Sequence, residues 1–174
     1  MKILKILMVT VFLISSYSSD CNNINKDTDN QVGQKQGAKN ISTNDLISLL
    51  KNIQNQKFID EKLRNLDFKK KFNGVYTSNE QIKINEPARW VHLYDMGSLS
   101  NVSFSTAKKA EWEILLKEIK NYGKPISFNE GTSSKATRYT GTEYTFETYE
   151  PKNGVNLEMN ELYEIIIFKT KTTK

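Results

Sequence analysis

The chain contains 174 residues, with a formal net charge of +5 at pH 7, a single histidine and a single cysteine. One cysteine excludes an internal disulfide, and one cysteine with one histidine are too few for a structural zinc site or a Cys-His nucleophile. The sequence has no glycine-rich phosphate loop, calcium loop or dinucleotide fingerprint, so we expect no cofactor and no metal. Charges of both signs are interspersed, which is typical of a solvated surface.

The N-terminal segment has the pattern of an export signal. Lys2 and Lys5 precede a largely apolar run, 6–14, and a small polar stretch leads from that run to Cys21. A positively charged start, a short apolar core and a small-residue exit are typical of secretory signals, whereas a membrane-spanning helix needs about 20 apolar residues. We therefore predict a signal peptide over 1–20 and an exported protein, for which nucleic acid is not an expected partner.

The cysteine after the signal suggests how the exported protein is held. Cys21 is followed by Asn22, Asn23 and a polar stretch. In this arrangement residues 1–21 resemble the signal of bacterial lipoproteins, whose cysteine becomes the acylated first residue of the mature chain. The resemblance implies a lipid anchor on Cys21, with palmitate among its acyl chains, and a location in the cell envelope. The alternative is ordinary signal cleavage near 16–19, which would give a secreted protein with a free thiol.

The chain after the cysteine is polar. Residues 21–42 contain only Ile24, Val32 and Ile41 as sizeable apolar side chains. Such a segment cannot bury enough apolar surface to offset its chain entropy, so we predict a disordered tether. The remaining 43–174 have the size of one ordinary domain.

Two helical segments are predicted at the start of this domain. Leu46, Leu49 and Leu50 recur with helical spacing shortly after 42–44, where Ser, Thr and Asn can each cap a helix N-terminus. A second helical stretch is predicted over 58–72, where an Asn-Gly pair follows as a stop signal. The domain should therefore begin with a short helical region.

The second helical stretch has a basic side. Its last turns carry Lys69, Lys70 and Lys71, and further basic residues precede them. A solvated helix surface is the ordinary explanation of such a face. The functional alternative is a binding surface for an acidic partner, in which these three lysines are the candidate binding residues.

The middle of the domain contains a strand pattern and then the clearest helix pattern. In 89–94, Trp90, His92 and Tyr94 fall on one face of a predicted strand, and both faces have partly buried character. The next apolar stripe repeats at helical spacing and is closed by Gly123 and a proline. It consists of Trp112, Leu115, Leu116, Ile119 and Tyr122. We predict an amphipathic helix over 106–122.

The apolar pattern changes to period two after this helix. Strands are predicted over 126–128, 144–148 and 162–168. The last of these is apolar on both faces, so we expect it to lie centrally or under a helix. The whole pattern predicts an α+β fold, an antiparallel β-sheet packed by the amphipathic helix 106–122 and preceded by the short helical region.

Two catalytic arrangements can be read from the sequence, and neither is specific. His92, Asp95 and either Ser98 or Ser100 are the residue types of a Ser-His-Asp triad, but the surrounding sequence is not a nucleophile elbow. Glu143 or Glu147 could act with a second acid in glycoside hydrolysis. Because acids that alternate with aromatic residues are also typical of a solvent-facing sheet, we assign no catalytic residue.

A contact surface is the other functional candidate. Arg138, Tyr139, Tyr144 and Tyr149 lie close together in the sequence, and tyrosine and arginine are enriched in protein interfaces. We therefore predict a membrane-anchored, non-catalytic lipoprotein that presents a small binding domain to a protein or an acidic glycan. The alternatives are a cell-wall or glycan hydrolase, and a secreted eukaryotic protein with N-glycosylation acceptors at Asn40 and Asn101.

Overall fold

The computed structural model describes residues 39–83, 86–128, 133–156 and 161–171. The helices are Thr43–Lys51 (α1), Gln56–Asn65 (α2) and Lys109–Ile119 (α3), with a short 3-10 helix at Gly97–Leu99. The strands are Phe68–Phe72 (β1), Val75–Ser78 (β2), Gln81–Lys83 (β3), Glu86–Pro87 (β4), Arg89–Tyr94 (β5), Asn101–Thr106 (β6), Pro125–Phe128 (β7), Ser134–Thr140 (β8), Tyr144–Pro151 (β9) and Tyr163–Lys169 (β10).

Eight of these strands form one antiparallel sheet. Their order is β1-β2-β5-β6-β10-β9-β8-β7, and β3 with β4 makes a separate small hairpin. Strand β10 lies between β6 and β9, which agrees with its apolar residues on both faces. The described part of the chain is therefore an antiparallel sheet with three helices, richer in strand than the sequence pattern indicated.

One face of the sheet carries the largest apolar side chains. Val91, Phe104 and Ile165 are opposite one another on β5, β6 and β10, and Phe146 is opposite Ile167 on β9. Because side chains on a strand alternate between faces, these residues share one face. All five are buried in a single core cluster that also contains side chains of the three helices. We call this side of the sheet the covered face.

Polar contacts also join the helices to one another and to this face. At the start of α1, the Thr43 backbone N–H and hydroxyl donate to Glu118 Oε2 on α3, at 2.9 and 2.7 Å. On β2, the Tyr76 hydroxyl donates to Asp60 of α2. That hydrogen bond lowers the pKa of Asp60, whereas burial, followed by the contact with Asp60, raises the pKa of Tyr76.

The covered face contains one buried ion pair. Arg89 is 1 % exposed, and its Nη2 lies 2.8 Å from Oε1 of Glu111 on α3, which is 4 % exposed. The same Nη2 donates to the Lys39 carbonyl at 2.9 Å, and the guanidinium carbon lies 4.6 Å from the Phe68 ring centroid. Oε2 of Glu111 accepts from the Thr106 hydroxyl at 3.1 Å. This network connects β5, β6, α3 and the chain before α1.

The first helix begins with a capping box. The Ser42 hydroxyl accepts from the Asp45 backbone N–H, and the Asp45 carboxylate accepts from the Ser42 backbone N–H. Lys62 Nζ lies 2.7 Å from Asp45 Oδ1. Burial raises the pKa of Asp45, but the hydrogen bonds from Lys62 and Ser42 outweigh it and hold the pKa below its usual value. Ile41, which we had assigned to the tether, is buried in the core, so the packed region includes the end of that segment.

The predicted helix over 58–72 is too long. Helix α2 ends at Asn65, Asp67 adopts a left-handed conformation with φ 65°, and β1 follows from Phe68. Lys69, Lys70 and Lys71 therefore lie on an edge strand and not on a helix face. Lysines are favourable there because charged side chains discourage pairing of an exposed edge with another chain.

The predicted helix over 106–122 is likewise shorter in the structure. Its first residue, Thr106, is the last residue of β6, and α3 runs from Lys109 to Ile119. The Thr106 hydroxyl accepts from the Lys108 backbone N–H at 3.0 Å, while Lys108 itself provides no side-chain cap. The predicted helix thus begins at a residue that ends a β-strand in the structure.

Several predictions fall outside the described residues. They are the signal peptide 1–20, the cysteine at 21 and the tether as far as 38. Within the described ranges, no helix combines the length and apolar character needed to cross a lipid bilayer.

Candidate functional site

The side chains opposite the covered face form two rows across all eight strands. We call this side the open face. From β1 to β7, the first row is Lys69, Thr77, Trp90, Ser105, Glu164, Tyr149, Ala136 and Phe128. The second row is Phe72, Val75, His92, Ser103, Ile166, Glu147, Arg138 and Ile126. Both rows mix aromatic, aliphatic, hydroxyl and charged groups, unlike the apolar covered face.

An aromatic ladder runs along β5 on the open face. The ring centroids of Trp90 and His92 are 6.1 Å apart at 90°, and those of His92 and Tyr94 are 6.1 Å apart at 66°. His92 Nδ1 lies 3.2 Å from the Tyr94 hydroxyl oxygen. Lys71 Nζ lies 4.9 Å from the Trp90 ring centroid, within cation–π range. The ladder thus presents ring edges and faces beside a positive charge.

A concavity of about 410 Å³ adjoins this ladder. It is lined by Phe72, Val75, Trp90, His92, Tyr94, Ser105, Leu162 and Glu164. Glu164 is held in place by the Ser103 hydroxyl, which donates to its Oε1 at 2.5 Å. The volume is in the range of small-molecule sites, which are largely apolar with a few placed polar groups. We call this feature the aromatic concavity.

Electrostatics favour an uncharged imidazole in the aromatic concavity. Partial burial lowers the pKa of His92 below its ordinary value of 6.5, and the Glu164 carboxylate opposes that shift. Near neutral pH, His92 is therefore a neutral group that can both donate and accept one hydrogen bond. Glu164 is then the anionic group of this concavity, and Lys71 lies at its border.

A second cluster occupies the other half of the open face. Arg138 donates from Nε and Nη2 to Glu147 Oε1, at 2.9 and 2.5 Å, and the Tyr149 hydroxyl donates to Glu147 Oε2 at 2.9 Å. The guanidinium carbon lies 4.7 Å from the Phe128 ring centroid. Burial, followed by the hydrogen bond to Glu147, raises the pKa of Tyr149. These side chains order one another on β7, β8 and β9.

The structure divides the contact surface predicted around Arg138. Arg138 and Tyr149 lie together on the open face, but Tyr139 and Tyr144 are 4 % and 8 % exposed and belong to the core. Tyr139 is directly opposite Phe146, so both tyrosines have the strand parity of the covered face. The prediction that they form part of an exposed surface is therefore wrong.

The three predicted lysines line a second concavity of about 410 Å³ at the β1 edge. Its other lining residues are Thr77, Ser78, Gln81 and Pro87. Lys70 Nζ lies 4.0 Å from Asp60 Oδ1 on α2, whereas Lys71 reaches over Trp90. The positive charge that we expected on a helix is thus present beside the aromatic ladder.

The alternation along 89–94 predicts that Trp90, His92 and Tyr94 share a face, but it does not by itself indicate a site. Glu164 and Ser103 were missed as members of the same surface. Their positions depend on β6 and β10 being adjacent in the sheet, for which no local sequence signal exists. The alternation of three ring-bearing residues along 89–94 was the one signal from which the site could have been found.

The contacts do not favour the catalytic alternatives. The Ser100 hydroxyl donates directly to Asp95 Oδ1 at 3.0 Å, so the two groups that a triad places on either side of histidine contact each other. Glu147 uses both carboxylate oxygens for Arg138 and Tyr149, which favours a structural role over general acid–base catalysis.

Comparisons with known proteins add no assignment. Matching against family models, curated proteins and solved structures found no similar protein. In the described part of the chain, no three histidine, cysteine, aspartate or glutamate side chains are grouped as metal ligands would be. The chemistry of the open face is therefore the guide to function.

Proposed function

We propose that the protein is a non-catalytic lipoprotein of a bacterial cell envelope, anchored through Cys21, whose open face binds a macromolecular partner. One observation carries the proposal. Helix side chains pack against the covered face, while large apolar groups on the other side remain in water, among them Tyr94, 46 % exposed, and Phe72, 58 % exposed. Exposed apolar patches of this kind mark interaction sites.

In this proposal the amphipathic helix and the N-terminal helical region act as one covering layer. Trp112, Leu115 and Ile119 of α3 are buried, whereas Ile114 on the same helix is 47 % exposed. The Trp112 ring lies 5.1 Å from the Tyr163 ring on β10. Because this layer packs against the covered face and holds the sheet in place, binding on the open face requires little rearrangement.

The residue types of the open face fit a binding function. Tryptophan, tyrosine and arginine dominate the energetics of interfaces because they combine large contact area with polar groups. Trp90, Tyr94 and Arg138 are held by neighbouring rings or by an ion pair. Side chains ordered before binding lose less conformational freedom when a partner arrives.

Site-specific photo-crosslinking tests the surface. A photoreactive amino acid is introduced at Tyr94 on the open face or at Ile114 on the helix layer, and native envelopes are irradiated. The two positions are equally exposed, at 46 % and 47 %, so access to solvent is matched. We expect adducts to a discrete macromolecule from position 94 only. Equal adducts from both positions, or none from position 94, would show that the open face is not the binding surface.

The anchor is tested separately. We expect the intact mass of the mature protein from the membrane fraction to correspond to a chain beginning at Cys21 with added acyl groups. The Cys21→Ala variant should lack this mass and leave the membrane fraction. An unmodified wild-type chain beginning near residue 19 would instead support ordinary secretion.

A further inference from the structure

We propose that the partner of the open face is an acidic glycan, with a sugar ring in the aromatic concavity and anionic groups on the lysines of β1. This inference rests on the proposed function, because it assigns a ligand class to the same surface. It is drawn from three properties that occur together beside β5: aromatic faces, hydroxyl-binding groups and an adjacent row of positive charges.

The first property is the match between the concavity and a sugar ring. A pyranose presents a patch of C–H groups on one side and hydroxyls around its rim. Trp90, Tyr94 and Phe72 supply apolar and aromatic surface for the C–H patch. The concavity of about 410 Å³ has room for a sugar residue and its neighbour.

The second property is the polar lining. Glu164 and Ser105 line the concavity beside the rings, and both can accept hydrogen bonds from hydroxyl groups. The Ser103 hydroxyl fixes the Glu164 carboxylate through its Oε1. Neutral His92 adds a donor or acceptor without adding charge. A ring rich in hydroxyls satisfies such groups better than an apolar ligand does, since buried polar groups without partners destabilise a complex.

The third property is the position of the positive charges. Lys69, Lys70 and Lys71 line the concavity next to the aromatic one. Lys71 connects the two, because its ammonium group lies over the Trp90 ring. Lys70 is opposite the core residue Tyr76 and lies near Asp60, so the lysines of the open face are Lys69 and Lys71. A chain that carries carboxylate or sulfate groups at regular intervals could place one ring on Trp90 and its anionic groups on these two lysines.

The same features argue against a single-stranded nucleic acid, which also uses aromatic residues and lysines. Glu164 lies in the row that contains Trp90 and Ser105, and Glu147 lies in the next row. Glu147 is paired with Arg138, but Glu164 repels any anionic group placed at Trp90, and a nucleic acid carries a phosphate at every nucleotide. A glycan whose anionic groups alternate with uncharged rings can instead place an uncharged ring there. In contrast, a carboxylate beside an aromatic ring is a good acceptor for sugar hydroxyls.

Isothermal titration calorimetry with defined probes tests the ligand class. The acidic probes are hyaluronan and heparin octasaccharides, the uncharged probe is chitohexaose, and the non-glycan polyanion is oligothymidylate. We expect the full chain to bind at least one acidic glycan about tenfold or more tightly than chitohexaose and oligothymidylate. Failure to bind either acidic glycan, or equal affinity for oligothymidylate, would overturn the proposal.

Variants locate the binding site. Trp90→Ala should weaken glycan binding by about tenfold or more, and Trp90→Phe, which retains a ring, should restore part of the affinity. Ile126→Ala, at the far edge of the same face, should have no effect. If circular dichroism shows that the Trp90→Ala variant is unfolded, the Tyr94→Ala variant provides the same comparison. Unchanged affinity in a folded ladder variant would overturn the assignment.

A charge-matched pair of variants tests the lysines. The variant in which Lys69, Lys70 and Lys71 are replaced by Gln should bind acidic glycan more weakly and with a smaller salt dependence. The control replaces a lysine triplet on α3 and its C-terminal end with Gln and removes the same charge from the helix layer. It comprises Lys109, Lys117 and Lys120. Equal losses of affinity in both variants would mean that only net charge matters, and the assignment of the lysines of β1 to the binding site would be wrong.

These results separate the inference from the proposed function. Cross-linking of a protein from position 94, without binding of any acidic glycan, would leave the binding surface in place and overturn the glycan. Absence of any adduct from position 94 would overturn the surface itself.

Discussion

The covered and open faces are made by the same eight strands but contain different kinds of side chain. On β10, Ile165 faces the helices and is fully buried, while Glu164 and Ile166 face the other side and are half-buried. The covered face is specified by packing, with one enclosed ion pair. The open face carries rings, hydroxyls and charges that packing alone does not require. Such a difference separates the residues that stabilise the fold from those available for binding.

The largest effect is expected from breaking the ion pair of the covered face. Arg89→Met leaves the Glu111 carboxylate buried without its cation, which we expect to lower the free energy of unfolding by about 3–5 kcal/mol. Urea denaturation measures this loss. A loss below about 1 kcal/mol would show that this part of the covered face is open to water.

A double variant sharpens the same prediction. Among the described residues, Nε and Nη1 of Arg89 are buried without a hydrogen-bond partner, so the ion pair is incompletely satisfied. Replacing both charges, with Arg89→Met and Glu111→Leu, should therefore cost less than Arg89→Met alone. If the loss in the double variant instead equals the sum of the losses in Arg89→Met and in Glu111→Leu, the two residues do not act as a pair.

Neighbouring isoleucines on β10 compare the two faces directly. Ile165→Ala should lower the free energy of unfolding by about 2–5 kcal/mol, because a buried side chain leaves a cavity. Ile166→Ala should lower it by about 1 kcal/mol, because the half-buried side chain already contacts water. Urea denaturation of both variants gives the difference. Equal losses would mean that the open face is packed as tightly as the covered one.

The cap of α1 should have a smaller effect on the helix layer. Ser42→Ala removes the hydroxyl of the capping box and should lower the free energy of unfolding by about 1 kcal/mol. Ser48→Ala, in the middle of the same helix, is the control and should be neutral or slightly stabilising, since alanine has the higher helix propensity. Thermal unfolding of both variants checks the prediction, and equal shifts would exclude a specific capping contribution.

Strong local patterns predicted part of the fold. The strand 89–94 agrees with β5, the strand 162–168 agrees with β10 within one residue at each end, and the centre of α3 lies in the predicted helix. Strand β1 was missed because three consecutive lysines hide any alternation. Strand β6 was not predicted, and its last residue, Thr106, was assigned to the helix 106–122. In these two strands, pairing with neighbours outweighs local preference.

The candidate site was less predictable than the fold. Alternation places Trp90, His92 and Tyr94 on one face, but it does not say which face the helices cover. For the same reason Tyr139 and Tyr144 could be mistaken for exposed residues. Glu164 joins Trp90 only through the pairing of β5 with β6 and of β6 with β10. Such long-range pairing is a property of the whole sheet, which a local sequence pattern does not contain.

The smallest effect concerns the pH dependence of the open face. Burial holds the pKa of His92 below its ordinary value of 6.5 in the folded protein, so the unfolded chain binds the proton more readily. The contribution of His92 to stability is therefore complete above pH 6.5 and is lost as the pH falls through the folded-state pKa. We expect the urea midpoint of the wild type to fall between pH 8 and pH 5 more than that of His92→Gln.

Glu164 affects how strongly the stability contribution of His92 depends on pH. Its carboxylate stabilises the protonated imidazole and opposes the effect of burial. Glu164→Gln removes that opposition, so it should steepen the loss of stability toward pH 5, whereas Asp45→Asn, on the helix layer, should leave the slope between pH 8 and pH 6 unchanged. If Glu164→Gln flattened the profile, the loss of stability toward pH 5 would not come from protonation of His92. The binding role assigned to its uncharged imidazole would then have to be given up.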